Sequence, residues 1–256
     1  MNDCREEWYD PEKKISVVFA DVKSAAQELA RGHLCGPVSA RYLAEALATA
    51  ALLGAETSAA DEVVSVQMKC TGPLGGYNVE CSADGALRGY TERKTLDGFD
   101  GLDEIDDRAA VGDRRIQVTR SVPGRIVSQG ISNSVDGYLA GSLQRRSCIL
   151  VSAKVSKEVE ILEAKGVLVE ALPDSGESVI DYMPGEIKED FAGTFAGRDL
   201  GGAVLRRTSP LRFACRCSPE RAAAVLAASG NRDDDVPASV DVTCHMCGRT
   251  YTVRTK

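Results

Sequence analysis

The sequence has few histidines, no long apolar run and no excess of positive charge, and each shortage excludes a class of protein. His33 and His245 are the only histidines, and no acidic residue is adjacent to His33, which argues against a hydrolase with a catalytic triad. No apolar run approaches the roughly 18 residues of a membrane span. The formal net charge of −7 argues against general binding to nucleic acids or to membrane surfaces.

Two local motifs and a leader segment are also missing. Residues 72–76 are rich in glycine but lack the Lys-Ser/Thr of a phosphate-binding P-loop, and no helix is expected after them. Asp97–Asp107 carries six acidic residues without the alternating spacing of a calcium loop, so we expect a solvated loop there. Residues 1–8 are acidic and lack the apolar core of a signal peptide, so we expect a cytoplasmic protein in a reducing compartment.

Four of the nine cysteines stand in two close pairs near the C-terminal end. Cys215 and Cys217 are separated by one residue, Cys244 and Cys247 by two, and 26 residues lie between the pairs. Four thiolates in two close pairs suit a tetrahedral zinc ion, so we predict that these residues bind one Zn²⁺. Two structural disulfides, or four unrelated buried thiols, are the alternatives. We expect His245 to face outward as a bystander.

The residues between and after these pairs favour a small zinc-binding fold. Ser218 is a suitable N-cap for a short helix over residues 219–228, and Val240–Thr243 and Thr250–Val253 alternate like two short strands. So small a segment has little core of its own, and zinc would supply its folding free energy, about 10–16 kcal/mol in small zinc peptides. The other five cysteines are expected to be reduced and partly buried: Cys4, Cys35, Cys70, Cys81 and Cys148.

The hydrophobic pattern upstream predicts an α+β fold, a large antiparallel-sheet domain with helices packed against it. The alanine-rich helix that begins at Pro37 is expected to pack closely on a sheet. We predict three parts: an α+β core over residues 1–175, a metastable helical linker over 176–210, and a zinc domain over 211–256. Strands are expected at 14–20, 63–70, 77–82, 86–91, 114–119, 125–131, 148–155 and 166–172, and further helices at 21–30 and 132–143.

The cysteine pairs and their neighbours resemble the zinc-binding end of the heat-shock protein 33 family, redox-activated holdase chaperones that are not enzymes. The similarity extends upstream, in the same order, through the stretches Thr71–Leu74, Leu87–Tyr90 and Lys165–Pro173. At the C-terminal end it rests on Phe213, Cys215, Cys217, Ser218, Glu220, Arg221, Cys244, Cys247 and Tyr251.

The resemblance implies an ATP-independent chaperone that is switched by oxidation. The reduced cysteines would hold zinc, and oxidation would form the disulfides Cys215–Cys217 and Cys244–Cys247 and release the ion. The linker would then loosen and uncover apolar surface for unfolded client proteins. The resemblance also allows a homodimer in the oxidised state. The negative net charge leads us to expect no nucleic-acid or membrane partner.

Two other functions remain open from the residues themselves. In a constitutive zinc-module adaptor the zinc would be structural, and partners would bind the α+β domain. In a thiol–disulfide oxidoreductase the Cys244–Cys247 pair would need a low-pKa cysteine at a helix N-terminus in a thioredoxin-like setting. The short strands expected on both sides of that pair argue against the oxidoreductase.

Overall fold

The computed structural model describes residues 3–102, 104–173, 175, 202–228 and 238–254. Within these residues, strands dominate and five α-helices accompany them. The strands are β1 Cys4–Asp10, β2 Ile15–Asp21, β3 Val63–Cys70, β4 Gly76–Ser82, β5 Ala86–Thr91, β6 Arg114–Val122, β7 Arg125–Ser132, β8 Ser147–Val155, β9 Ile161–Ala171, β10 Val204–Pro210, β11 Arg212–Phe213, β12 Ser239–Thr243 and β13 Thr250–Arg254. The helices are α1 Lys23–His33, α2 Pro37–Leu53, α3 Asp107–Val111, α4 Val135–Ser142 and α5 Pro219–Ala228.

The strands form two large sheets and one small one, and the predicted α+β class is confirmed. One sheet has five antiparallel strands in the order β10-β1-β2-β9-β8. The other has six strands in the order β11-β5-β4-β3-β6-β7, antiparallel except where β11 runs parallel to β5. The hairpin β12–β13 stands apart. No helix in the described ranges is long and apolar enough to cross a membrane.

Helix α2 lies between the two large sheets and forms the centre of the core. It contacts β2, β8 and β9 of the five-stranded sheet and β3, β4 and β5 of the six-stranded sheet. Alanine side chains are short enough to let both sheets approach the helix axis, which explains the alanine-rich sequence. The expected packing on a sheet is therefore confirmed, and it occurs on two sides. The buried alanines are Ala40, Ala44, Ala46, Ala48, Ala50 and Ala51.

Strand β1 was not expected, because its sequence is charged and shows no clear apolar alternation. It is nevertheless paired along its length with β2 on one side and β10 on the other. Arg5 on this strand is only 1% exposed, and its guanidinium donates to the carbonyl of Ala51 over 3.1 Å. That carbonyl lies in the last turn of α2, where the helix dipole favours a positive charge. Arg5 therefore connects strand β1 of the five-stranded sheet to the central helix.

Residues 204–210, predicted to belong to a helical linker, form strand β10 instead. The prediction was wrong for these residues because β1 offers an open row of backbone groups, and pairing with them satisfies the backbone of both strands. Arg207 strengthens the pairing by donating to Glu7 over 2.6 Å. Residues 176–201 of the predicted linker lie outside the described residues.

The five-stranded sheet carries a second apolar face, on the side away from α2. Ile15, Val17 and Phe19 of β2 and Val167 and Val169 of β9 form a separate buried cluster there. Trp8 and Leu150 pack against this cluster from the neighbouring strands. We call these seven side chains the apolar sheet face.

The acidic stretch at residues 97–107 does more than face solvent, contrary to expectation. The carboxylate of Asp100 accepts hydrogen bonds from the backbone amides of Val38, over 3.1 Å, and Leu96, over 2.7 Å. Asp106 caps α3, and Asp107 bonds Arg41 and Tyr42 on α2. The amides at a helix N-terminus lack partners within the helix, so acidic side chains from a distant loop can supply them.

We expect Asp100→Ala to lower the free energy of unfolding by about 1–2 kcal/mol, because the first turn of α2 loses its acceptor. Chemical denaturation monitored by circular dichroism measures the change. Asp97→Ala is the matched control, since Asp97 is an exposed acidic residue of the same loop. Equal stability of the two variants would show that the Asp100 cap contributes nothing.

Candidate metal centre

The structure brings the four C-terminal cysteines together. One sulfur atom from each of Cys215, Cys217, Cys244 and Cys247 lies within 4.8 Å of all the others. The Cys215 and Cys244 sulfurs are 3.7 Å apart, and the Cys217 and Cys247 sulfurs are 3.5 Å apart. We call these four side chains the cysteine cluster.

Two short segments present these sulfurs. Cys215 and Cys217 lie between β11 and α5, where the hydroxyl of Ser218 accepts from the amide of Arg221 over 3.3 Å and so begins the helix as predicted. Cys244 and Cys247 lie in the turn that joins β12 to β13, the two strands predicted on either side of the pair.

Glycine at position 248 allows the second segment to turn. Its φ angle of +73° lies in the left-handed region that glycine adopts without steric cost. Its amide donates to the carbonyl of Cys244 over 2.9 Å. In the tight turn that results, the amides of Met246 and Arg249 hydrogen-bond to the sulfurs of Cys244 and Cys247. Amides that point at sulfur favour the thiolate form, which is the form that binds metals.

The geometry of the cysteine cluster fits a tetrahedral metal ion. Four sulfurs bound to one zinc at the usual bond length of about 2.3 Å would be about 3.8 Å apart. Two of the separations, 3.7 Å for Cys215–Cys244 and 3.5 Å for Cys217–Cys247, are close to that value, and all lie within 4.8 Å. Within the described residues the group contains only thiols, with no carboxylate or imidazole. A set of four soft donors suits zinc and other thiophilic metals and disfavours magnesium and calcium.

The four thiols differ in their surroundings. Burial would raise the pKa of Cys217, but hydrogen bonds from the Tyr251 hydroxyl, over 3.1 Å, and from the neighbouring thiols outweigh it and lower the pKa to about 7. Burial raises the pKa of Cys247, whose side chain is 4% exposed. Tyr251 is therefore a contact of the cluster as well as a residue of strand β13.

His245 lies outside the cysteine cluster. Its ring packs edge-on against Tyr90, with the ring centroids 4.0 Å apart. Arg88, two residues earlier on β5, hydrogen-bonds to both Glu80 and Cys215. The sequence suggested only strand positions for Arg88 and Tyr90, and the structure shows that both also contact the cysteine region.

The turn that carries Cys247 is docked on the end of α1, backbone against backbone. A Cβ atom added at Gly32 would stand 2.8 Å from the Cys247 carbonyl oxygen, and one added at Gly248 would stand 2.1 Å from the carbonyl oxygen of Gly32. The amide of Gly89 on β5 donates to the carbonyl of Met246 over 3.1 Å. We call this approach of Gly32 and Gly89 to residues 246–248 the docking contact. No sequence pattern within α1 pointed to it.

His33 lies next to the docking contact and hydrogen-bonds to Gly89, one of its residues. Its Nε2 atom lies 2.9 Å from the carbonyl oxygen of Gly89, so Nε2 carries the proton and donates. Burial lowers the pKa of His33 to about 4, with the nearby charge of Lys94 acting in the same direction. The imidazole is therefore neutral near neutral pH.

The remaining five cysteines lie apart from the cluster. No disulfide joins any of the nine cysteines, all of which are in the described ranges. Cys35, Cys81 and Cys148 are buried, and Cys4 and Cys70 are partly buried. Burial raises the pKa of Cys81 to about 11, which keeps it a thiol.

Fold and site together define the class: an α+β protein whose C-terminal segment gathers four thiols against the main domain. Comparison with known proteins identifies the family. The family model described as Hsp33 protein matches residues 7–254. The chain therefore belongs to the Hsp33 protein family, a family of chaperones and not of enzymes.

Two bacterial relatives and one solved structure agree with this assignment. A 33 kDa chaperonin of Thermus thermophilus is 29% identical, over 94% of this chain and 81% of that protein. The 33 kDa chaperonin of Synechococcus elongatus is 26% identical, over 93% of this chain and 89% of that protein. The crystal structure of the 33 kDa chaperonin from Thermotoga maritima superposes with a TM-score of 0.82, covering 99% of this chain and 95% of that one. At 17% identity, this structural match shows a shared fold.

We expect Gly32→Ala to weaken the docking contact, because the new methyl group would press on the Cys247 carbonyl. The same change favours the helical state of α1 by about 0.5–1 kcal/mol, so weaker docking could not be attributed to a weaker helix. Hydrogen exchange of the Gly89 amide measures the contact, and we expect exchange about tenfold faster in the variant.

Arg31→Ala is the control, because Arg31 is an exposed neighbour on the same helix. Unchanged exchange at Gly89 in Gly32→Ala would mean that the turn of Cys247 tolerates the methyl group and that the close approach is not a constraint.

Proposed function

We propose that the chain is a redox-regulated, ATP-independent holdase chaperone whose reduced cysteine cluster holds one Zn²⁺. The observation that carries the proposal is the gathering of four thiols, on a chain of a chaperone family, at separations that suit tetrahedral coordination. Cys215, Cys217, Cys244 and Cys247 are the proposed ligands. A bound zinc ion would supply folding free energy to the segment around them, about 10–16 kcal/mol in small zinc peptides.

The proposed switch is the oxidation of these thiolates. Each disulfide forms when two thiolates give up two electrons, and hydrogen peroxide accepts them and leaves as two water molecules after taking up two protons. We propose the pairs Cys215–Cys217 and Cys244–Cys247, which are adjacent along the chain. In the structure, sulfur contacts of 3.7 and 3.5 Å join Cys215 to Cys244 and Cys217 to Cys247, which is the alternative pairing. Peptide mapping of the oxidised protein distinguishes the two pairings.

The segment that joins the cysteine cluster to the five-stranded sheet supports the proposed redox switch. Residues 204–217 run without interruption from β10, on the edge of the five-stranded sheet, through β11 to the first cysteine pair. Midway, Leu211 is buried, and its amide donates to the carbonyl of Asp3 over 3.0 Å. Loosening of the cluster would therefore remove the anchor at one end of a strand that closes the five-stranded sheet.

The client surface that we propose is the apolar sheet face. It offers aliphatic and aromatic side chains from four adjacent strands on the side away from α2. We propose that residues 1–175 form the chaperone core, that 176–210 act as the linker governing access to this face, and that 211–256 are the redox switch. Unfolded or partly folded proteins are the proposed partners. We also propose a cytoplasmic location, and a homodimer in the oxidised state.

One observation favours a second candidate, a constitutive adaptor in which zinc is purely structural. Cys247 is buried in the main hydrophobic core, and Cys215, Cys217 and Cys244 pack against the same core. A metal site built so firmly into a core could serve as a permanent clip. Mild peroxide at moderately raised temperature separates the two functions, since a structural site would keep its zinc.

Light scattering of a chemically unfolded client, recorded while a chromogenic chelator reports released zinc, tests the proposal. We expect the reduced, zinc-loaded protein to give little protection and the oxidised protein to suppress aggregation, with both changes reversed by dithiothreitol and zinc. Zinc that stays bound, or leaves without any gain in protection, would contradict the switch.

The variant Cys244→Ser separates loss of the metal from oxidation itself. Removing one of four ligands should weaken zinc binding and loosen the cluster, so we expect client protection without any oxidant. Cys70→Ser is the matched control, because Cys70 is partly buried and lies outside the cluster. A Cys244→Ser protein that lacks zinc and still fails to protect the client would count against the simple switch.

A further inference from the structure

Strand β7 is an exposed apolar edge. It is the last strand of the six-stranded sheet, and within the described residues its outer side has no partner strand. Three large apolar side chains on it are open to solvent: Ile126 is 58% exposed, Val127 46% and Ile131 44%. The edge lies in the α+β core, apart from both the cysteine cluster and the apolar sheet face.

The inward face of β7 is covered by helix α4. Helix α4 packs against β7, and a Cβ atom added at Gly130 would stand 2.6 Å from the ring of Tyr138. Tyr138 and Leu139 are themselves buried. Strand β7 is thus held from the inside, and only its outer face and its edge are available to a ligand.

The hairpin β6–β7 is basic in an otherwise acidic chain. Residues 114–132 contain four arginines and no acidic residue. Arg120 is neutralised by Glu62 at 2.7 Å. Arg115 and Arg125 are exposed, and within the described ranges neither is in an ion pair. Arg125 opens β7, and Arg115 lies beside its other end, next to the pair formed by Ile116 and Ser132.

Exposed edges are normally protected, because their unpaired amides and carbonyls can add another strand. From Ile126 to Ser132 this edge has neither a charged residue nor a proline. Its one protective feature is a bulge, where the register with β6 shifts between Arg120 and Ser121. An apolar strand with a positive charge at each end is the complement of an extended segment that is apolar in its middle and acidic at both ends.

We propose that β7 binds such a segment of another polypeptide as an added antiparallel or parallel strand. The backbone of the segment would pair with the open edge, its apolar side chains would cover Ile126 and Ile131, and its acidic ends would meet Arg115 and Arg125. An eight-residue strand spans about 26 Å, which sets the length of the recognised segment.

The charges argue against a second copy of this chain as the occupant. Pairing two β7 strands edge to edge would bring two hairpins of the same positive sign into one sheet, and like charges close together across strands are destabilising. Because β7 is apart from the cysteine cluster, binding requires no change in the cysteines. It is therefore independent of the proposed redox switch and can be tested in the reduced, zinc-loaded protein.

Fluorescence anisotropy with labelled peptides about nine residues long provides the test. One peptide alternates valine and threonine between glutamate ends, and the other carries lysine ends. We expect the acidic peptide to bind at least about tenfold more tightly, to weaken as salt is raised, and to slow hydrogen exchange along β7. Equal binding of the two peptides, or protection of amides elsewhere, would overturn the proposal.

Two variants and a control test whether the acidic peptide binds at β7. Arg125→Glu removes one charge contact, and Ile131→Thr removes apolar surface while keeping a residue that favours strands; each should weaken the acidic peptide about tenfold. Leu162→Thr is the control, because Leu162 is a 52% exposed strand residue on the other sheet. Unfolding midpoints confirm that all three variants fold.

Peptide affinities that stay the same in both variants would overturn the proposal. Sedimentation at several protein concentrations tests whether β7 pairs with a second copy of the chain instead. Self-association that is lost in Ile131→Thr, in a protein that binds neither peptide, would make β7 an interface between copies and would also overturn it.

Discussion

The packing of α2 between the two large sheets is the contact on which the other features of the fold depend. Small side chains bring both sheets close to one helix, and Gly166 on β9 continues this pattern, since a Cβ atom there would stand 2.7 Å from Leu52. A short connection joins α2 to α1, so the position of α2 also fixes the end of α1. That end carries Gly32, against which the turn of Cys247 is docked. The cysteine cluster is thus placed by the core of the protein as well as by its own short strands.

Two of the connections between the cluster and the core differ in their chemistry. One connection is covalent, the stretch of residues 204–217 that pairs with β1 and β5 before it reaches Cys215. The other is the docking contact, which is made by backbone atoms and has almost no side chains that could adapt. A backbone contact of this kind depends on the shape of the turn between β12 and β13, because a carbonyl oxygen cannot rearrange as a long side chain can. A change in that turn therefore affects the docking contact directly.

Local signals in the sequence predicted much of this structure, and long-range pairing accounts for what was missed. The cap at Ser218 and the alanines of α2 depend on residues close together in the chain, and both predictions agree with the structure. The two close pairs of cysteines are likewise a local signal, and the structure gathers all four thiols. Strands β1 and β10 have charged sequences, and their pairing with each other joins segments some 200 residues apart. Asp100 caps a helix whose first residues lie 62 positions away. Contacts between residues so far apart leave no periodic pattern in the sequence from which they could be predicted.

The position of the cluster within the core also decides what its chemistry can control. Folding free energies of whole domains are only about 5–15 kcal/mol, similar to the contribution of a structural zinc ion in small peptides. A zinc site that contributed this much free energy to an independently folded zinc finger would stabilise that finger alone. Here Cys247 is part of the main core, and the segment that leads to Cys215 closes an edge of the five-stranded sheet. Free energy gained or lost at the four thiols is therefore shared with β1, whose Trp8 belongs to the apolar sheet face. The same strand thus connects the cysteine cluster to the apolar sheet face, the client surface that we propose.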